Sequence, residues 1–198
     1  MKIIGITGKT GSGKSTAAFF LKSALPDSMI LDVDSVAKNI YKENLEIVEK
    51  LKICFGEEIA DCENNIDFVK LGGIVFSDCS EMKKLDKIMF PLIEKKISEY
   101  IFINSPVLRY LIIDAAILFN SNIYKYCNKI ILIKSDLKKR RNRLVNKNRN
   151  LSETELENRL RNQRVRIIKD KVDFVIENNS DKKDFETKLE NIIGSLQD

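Results

Sequence analysis

Residues 8 to 15 read Gly-Lys-Thr-Gly-Ser-Gly-Lys-Ser, a complete G-x-x-x-x-G-K-[ST] loop, and this octet limits the fold more than any other part of the chain. The run before it, Lys2-Ile3-Ile4-Gly5-Ile6, suits a buried parallel strand, and residues 16–25 read as a helix closed by Pro26 and Asp27. Strand, glycine loop and helix in that order make a phosphate cradle. Glycine lets backbone N–H groups turn inward around phosphate oxygens, and the helix N-terminus adds its positive end. Lys14 then reaches the β and γ phosphates of a nucleoside triphosphate, and Ser15 offers its hydroxyl to magnesium. The expected binding set is Gly8, Lys9, Thr10, Gly11, Ser12, Gly13, Lys14, Ser15 and Thr16, with ATP and Mg2+ as the groups bound.

The later apolar runs extend this start into an α/β sheet fold. Strands are expected at residues 29–33, 109–114, 129–133 and 172–176. Between the second and third strands, residues 35–100 are mostly helical in pattern, with Pro91 expected to bend or interrupt the helix over 80–100. That excursion is where a substrate-binding region fits. Residues 136–147 form a strongly basic helix, and Ser152-Glu153-Thr154-Glu155 has the form of a helix start, so residues 136–170 read as lid helices. A chain of 198 residues that is 43% hydrophobic fits one domain with such an insertion.

Composition removes several chemistries. The chain contains no histidine, which excludes histidine ligands and Ser-His-Asp catalysis. Cys54, Cys62, Cys79 and Cys127 include no CxxC pair, so they read as reduced, partly buried thiols and not as a zinc site. No run of 18 apolar residues is present and the N-terminus resembles no targeting segment, so no membrane partner and a cytoplasmic location are expected. The formal charge of +5 suits an anionic partner, and without a recognition module or aromatic platform it does not make a nucleic-acid binder.

Carboxylates and arginines complete the candidate site. Asp32-Val33-Asp34 lies where ligands sit in open α/β sheets, and if the strand continues through Val33 both carboxylates share one side. One of them can orient or deprotonate an acceptor hydroxyl and the other can hold magnesium through water; alternatively, Asp34 simply caps the next helix. Asp114, at the end of the third strand, suits the magnesium shell. Arg140, Arg143 and Lys147 share a helical face, and arginines closing over a transferring phosphate stabilise its charge and exclude water.

An ordered set of landmarks then resembles the dephospho-coenzyme A kinase family over almost the whole chain. It comprises the loop itself, Asp32-Val33-Asp34, Leu71-Gly72-Gly73-Ile74-Val75-Phe76, Pro91-Leu92-Ile93, Asp114 through Phe119, Leu151-Ser152 through Arg159 and Gln163, and Val172 through Asn178. The resemblance implies a P-loop nucleoside triphosphate hydrolase-like three-layer fold, with a parallel five-stranded sheet, a helical substrate-binding region and a lid. It implies phosphorylation of the ribose 3′-hydroxyl of dephospho-coenzyme A by ATP and magnesium, in a monomer or weak homo-oligomer. By matching position, Asp34 resembles the general base, Arg140 and Arg143 fall in the lid, and Asn178 begins the loop near the adenine. The chain departs from the family pattern at Lys9, Lys38, Gly73, Phe90, Ala116 and Asn120, and the stretch from Lys147 to Leu151 is one residue longer. The rival readings are another small-molecule or nucleotide kinase and a nucleotide-gated interaction protein. The second lacks a switch segment and a guanine signature.

Overall fold

The computed structural model describes residues 1–147, 153, 156, 157, 160 and 165–197. The side chain of Lys147 and residues Leu151, Ser152, Thr154, Glu155, Arg159, Arg161 and Gln163 lie outside the described set. Two compact units form: Met1–Asp32 with Ile101–Asp198, and Val33–Tyr100.

The first unit holds a five-stranded parallel sheet, built from β1 (Lys2–Thr7), β2 (Ser28–Asp32), β3 (Tyr110–Asp114), β4 (Lys129–Lys134) and β5 (Phe174–Glu177), in the order β2-β3-β1-β4-β5. Strands β1 and β3 and most of β4 are buried on both faces, which is why they read as unbroken apolar runs without alternation. One face is covered by helix α1 (Lys14–Ala24) and the C-terminal helix (Lys182–Gln197). Their Ala17, Ala18, Leu21, Phe185 and Leu189 pack with Ile4, Ile6, Ile112, Ile131 and Ile133 in one cluster. On the other side of β1, a Cβ at Gly5 would lie 2.7 Å from Cys127 Sγ and 2.9 Å from Leu118 Cδ2, so only glycine lets that segment close against the strand. Because every strand is parallel, all five C-terminal ends meet at one sheet edge, which is where the candidate site lies.

The second unit is helical: α2 (Val33–Glu43), α3 (Leu45–Phe55), α4 (Phe68–Ser77) and most of α5 (Cys79–Asn104). Asn44 caps α3 through the Ile47 N–H, and Asp67 caps α4 through the N–H groups of Val69 and Lys70. Burial, with the Asp86 charge adding to it, pushes the Tyr41 hydroxyl up to about 12, and its ring meets Phe68 edge-on at 5.5 Å. Basic helix α6 (Leu137–Lys147) returns to the first unit, and the C-terminal helix completes the series as α7.

Three sequence expectations are corrected here. Strand β2 stops at Asp32 and helix begins at Val33, so the alternation that was to put Asp32 and Asp34 on one side does not operate. Asp34 instead occupies the first turn of α2, where a helix favours a carboxylate. Pro91 does not interrupt α5: it is exposed, and Met89, Ile93 and Ile97 anchor the opposite, buried face, so the helix runs through while water can take the carbonyl left without a donor. Cys54, Cys62 and Cys79 are exposed and only Cys127 is partly buried.

Candidate active site

The loop between β1 and α1 takes backbone angles that explain its glycines. Gly11 and Gly13 have φ of 77° and 106°, in the region that side chains avoid. Gly13 also fits so closely against the end of β5 that a Cβ would sit 2.3 Å from Asn178 Nδ2. Among the described residues, the positive φ values outside glycine belong to Asp27 and Asn64, so Lys9 keeps an ordinary backbone and is accommodated in a loop rich in glycine. Helix α1 starts at Lys14 with no side-chain cap and no acidic residue in its first turn. Its N-terminal N–H groups suit an anion.

Register places the carboxylates. Asp114 pairs with Ile6 on one side and with Asp32 on the other, so Asp32 and Asp114 end neighbouring strands beside the phosphate loop. Ser15 Oγ donates to Asp114 Oδ2 at 2.7 Å, with Asp114 buried and Ser15 exposed. This pair fits magnesium by its donor chemistry: both are hard oxygens, and magnesium bound with a nucleotide takes one or two protein ligands and fills its shell with phosphate and water. Among the described residues no group of three or more His, Cys, Asp or Glu is placed to hold a metal ion. Lys14, Ser15, Thr16, Asp32 and Asp114 therefore collect at one sheet edge, while Asp34 is an exposed residue that opens the helical unit.

The basic helix is built differently from an open arginine face. Arg140 is only 4% exposed; its Nε donates to Thr10 O at 2.8 Å, and its Nη2 is buried without a partner among the described residues. Burial pushes its guanidinium below its ordinary value. Arg140 lines a cleft of about 700 Å³ with Gly8, Lys9, Leu137, Val165 and Asn179. Arg143 turns to the back of the loop, where Nη1 donates to Gly11 O, Ser12 O and Ser135 Oγ, and Nη2 to the backbone and side-chain oxygens of Asn178. Asn178 Nδ2 in turn donates to Ser12 O at 2.8 Å. Both polar ends of the Asn178 side chain are thus engaged inside the protein. Arg141, absent from the sequence-derived set, donates to Glu153 and Glu157, which hold its charge in place, and Leu144, Leu156 and Leu160 form a small apolar cluster beside it. Ser135 and Asn179 were also missed. Ser135 Oγ bonds Asn178 O, and Asn179 Oδ1 accepts from the Asp136 N–H; a polar residue just past a strand carries no motif of its own.

The sequence matches the profile of dephospho-CoA kinase over residues 2–184. The chain belongs to the dephospho-CoA kinase family. A dephospho-CoA kinase of Fusobacterium nucleatum is 36% identical, with 95% of each chain covered, and one of Aquifex aeolicus is 33% identical over 90% of this chain and 89% of that one. Among solved structures, a protein from Thermus thermophilus superposes with a TM-score of 0.72 at 28% identity, covering 98% of this chain and 97% of the other. A dephospho-CoA kinase from Campylobacter jejuni gives 0.61 at 25%, covering 100% and 98%.

The places where this member of the dephospho-CoA kinase family departs from the expected pattern are structurally mild. Gly73 lies in α4 with nothing within 4 Å of an added Cβ. Lys38 is exposed and Phe90 half-buried. Ala116 O accepts from Thr7 Oγ1 at 3.4 Å, and Asn120 Oδ1 accepts from the Arg166 N–H at 3.1 Å, so neither replacement leaves a hole in the polar network.

Proposed function

We propose that the chain catalyses the last step of coenzyme A biosynthesis, transferring the γ-phosphoryl group of ATP to the ribose 3′-hydroxyl of dephospho-coenzyme A, with ADP as the second product. The 2.7 Å bond from Ser15 to Asp114 beside an uncapped phosphate loop, in a chain of this family, is the observation that carries the reading. In the transfer, a bond forms between the 3′-oxygen and phosphorus while the bond to the β,γ-bridging oxygen breaks, and the hydroxyl proton leaves to a carboxylate or to water.

The loop N–H groups and Lys14 hold the β and γ phosphates. Ser15, Asp114 and Asp32 would hold the magnesium ion, which would neutralise charge on the phosphate oxygens. Asp34 orients the acceptor hydroxyl and accepts its proton, the helical residues 35–100 bind the acceptor, and residues 136–170 act as the lid. Arg140, whose buried Nη2 lacks a partner among the described residues, supplies charge to the nucleotide; Asn178 shapes the nucleotide site from behind the loop. The reading places the chain in the cytoplasm, and no described helix is long and apolar enough to cross a membrane.

The test is ADP release from ATP and magnesium, with dephospho-coenzyme A, adenosine, AMP or shikimate as acceptor. Strong stimulation by dephospho-coenzyme A, with coenzyme A as product, is the expected result. Intact ATP binding with stimulation by another acceptor instead would reject the acceptor assignment and keep the kinase. For Asp34, replacement by Ala is expected to lower kcat by about 100-fold or more while ATP binding stays within about twofold.

A further inference from the structure

The contacts behind the phosphate loop give Arg143 a part in the reaction different from closing over the phosphate. A trans peptide is planar, and its C=O and N–H point to opposite sides. The Ser12 carbonyl is held by Asn178 Nδ2 at 2.8 Å and by Arg143 Nη1 at 3.4 Å, and the Gly11 carbonyl by the same Nη1 at 3.2 Å. Fixing the Ser12 carbonyl toward these side chains points the Gly13 N–H, in the same plane, in the opposite direction, away from them. Gly13 sits at φ 106°, and glycine populates both signs of φ, so this peptide can flip cheaply unless something outside the loop chooses its orientation. Arg143 is well placed to choose it. Its other bonds, to Ser135 Oγ at 3.0 Å and to both oxygens of Asn178 at 2.9 Å, tie the loop to the ends of β4 and β5. Among the described residues it forms no ion pair, so its charge is shared with neutral oxygens, four of them carbonyl or amide and one the Ser135 hydroxyl.

We infer that Arg143 is a positioning residue for the nucleotide donor: with Asn178 it sets the Ser12–Gly13 peptide so that its N–H meets a phosphate oxygen, and it strengthens that N–H through the peptide dipole. The inference rests on the reading of the loop as a triphosphate cradle. A guanidinium drawing on a carbonyl makes the N–H of the same peptide a better donor, as in other chained hydrogen bonds. The contact is made with a phosphate that stays in place during transfer. It is therefore equal in ground and transition states, and its loss raises KM for ATP without lowering kcat. A strut that served stability alone would lower the melting temperature and leave KM for ATP unchanged in the folded enzyme.

The experiment compares KM for ATP, KM for dephospho-coenzyme A, kcat and thermal unfolding in wild type, Arg143→Met, Arg143→Lys, Asn178→Asp and Lys183→Gln. Arg143→Met is expected to raise KM for ATP by about tenfold or more, with kcat within about threefold and KM for the acceptor unchanged. Arg143→Lys keeps the charge but not the fork, and is expected to recover part of the loss. Asn178→Asp removes the Nδ2 donor and sets a carboxylate beside the guanidinium, so it is expected to behave as Arg143→Met does. Lys183→Gln removes an exposed charge from the C-terminal helix, away from the loop, and is expected to change nothing. Wild-type KM for ATP in folded Arg143→Met would overturn the inference, whatever its melting temperature, as would a fall in kcat in place of a rise in KM. If Arg143→Met does not fold, the lysine and Asn178→Asp variants decide by the same criterion. A wild-type chain that neither binds nor turns over ATP removes the functional reading itself, and this inference with it.

Discussion

Ser15 and Asp114 hold each other at 2.7 Å, so each presets an oxygen that the other would otherwise leave free to rotate. In the proposed reaction, Ser15→Ala removes one metal oxygen and unfixes the second, and is expected to raise the magnesium concentration for half-maximal activity by at least about tenfold, read by titration at saturating ATP. Gly73 gives the opposite sort of prediction. It lies inside α4 with open space at its Cβ, so Gly73→Ala is expected to stabilise the fold by about 0.5–1 kcal/mol in urea unfolding, without altering ATP turnover. Cys127 reports on pH. Burial, with Asp173 adding to it, pushes its thiol up to about 12, against about 8.5 in an unfolded chain. Above about pH 8.5 the unfolded state loses this proton first, so the stability tied to Cys127 is present below that pH and is lost as pH rises toward about 12. The fall in melting temperature over this range is expected to be shallower in Cys127→Ala. The same contrast means that a thiol reagent at neutral pH titrates the exposed Cys54, Cys62 and Cys79 quickly, and Cys127 only on unfolding.

At the scale of elements, what could be read in advance depended on whether a segment's fate was local. The phosphate loop and the five strands were legible because glycine spacing and apolar runs are local signals, and the sheet is buried on both faces at β1 and β3. The β2–α2 junction was not: apolar Val33 continues the run of β2 but is the first residue of a helix, and only burial decides between them. Pro91 misled in the other direction, since a proline on the solvent face of a 26-residue helix is tolerated once the far face is anchored. Helix α6 was legible as basic, but not the direction of each arginine, because Arg140 and Arg143 find their partners on loops more than a hundred, and thirty-five, residues away. The small cluster of Leu144, Leu156 and Leu160, with Arg141 bonded to Glu153 and Glu157, ties α6 to described residues of the segment that follows it. Leu144→Ala is expected to loosen that tie and admit water, raising acceptor-independent ADP release relative to coenzyme A formation in the same assay.

At the scale of the molecule, the proposed labour divides between the two compact units. Nucleotide groups belong to Met1–Asp32 and Ile101–Asp198, and the acceptor groups, Asp34 among them, to Val33–Tyr100. Hydrogen exchange gives the corresponding test: ATP with magnesium is expected to protect amides of residues 8–16 and the end of β5, and dephospho-coenzyme A alone to protect amides in α2 to α5. Protection of the same amides by both ligands would count against the division.

The route of the chain between β2 and β3 has an evolutionary consequence. The polypeptide leaves the sheet at Asp32 and re-enters at Tyr110, yet these two strands are direct neighbours, paired from Ser28 with Tyr110 to Asp32 with Asp114. Everything between them can be lengthened, trimmed or exchanged without rewriting one strand pairing. A lineage can thus graft a new excursion onto an unchanged phosphate-handling frame, and mutations that retune what is captured there are inherited independently of those that preserve Gly8 through Ser15.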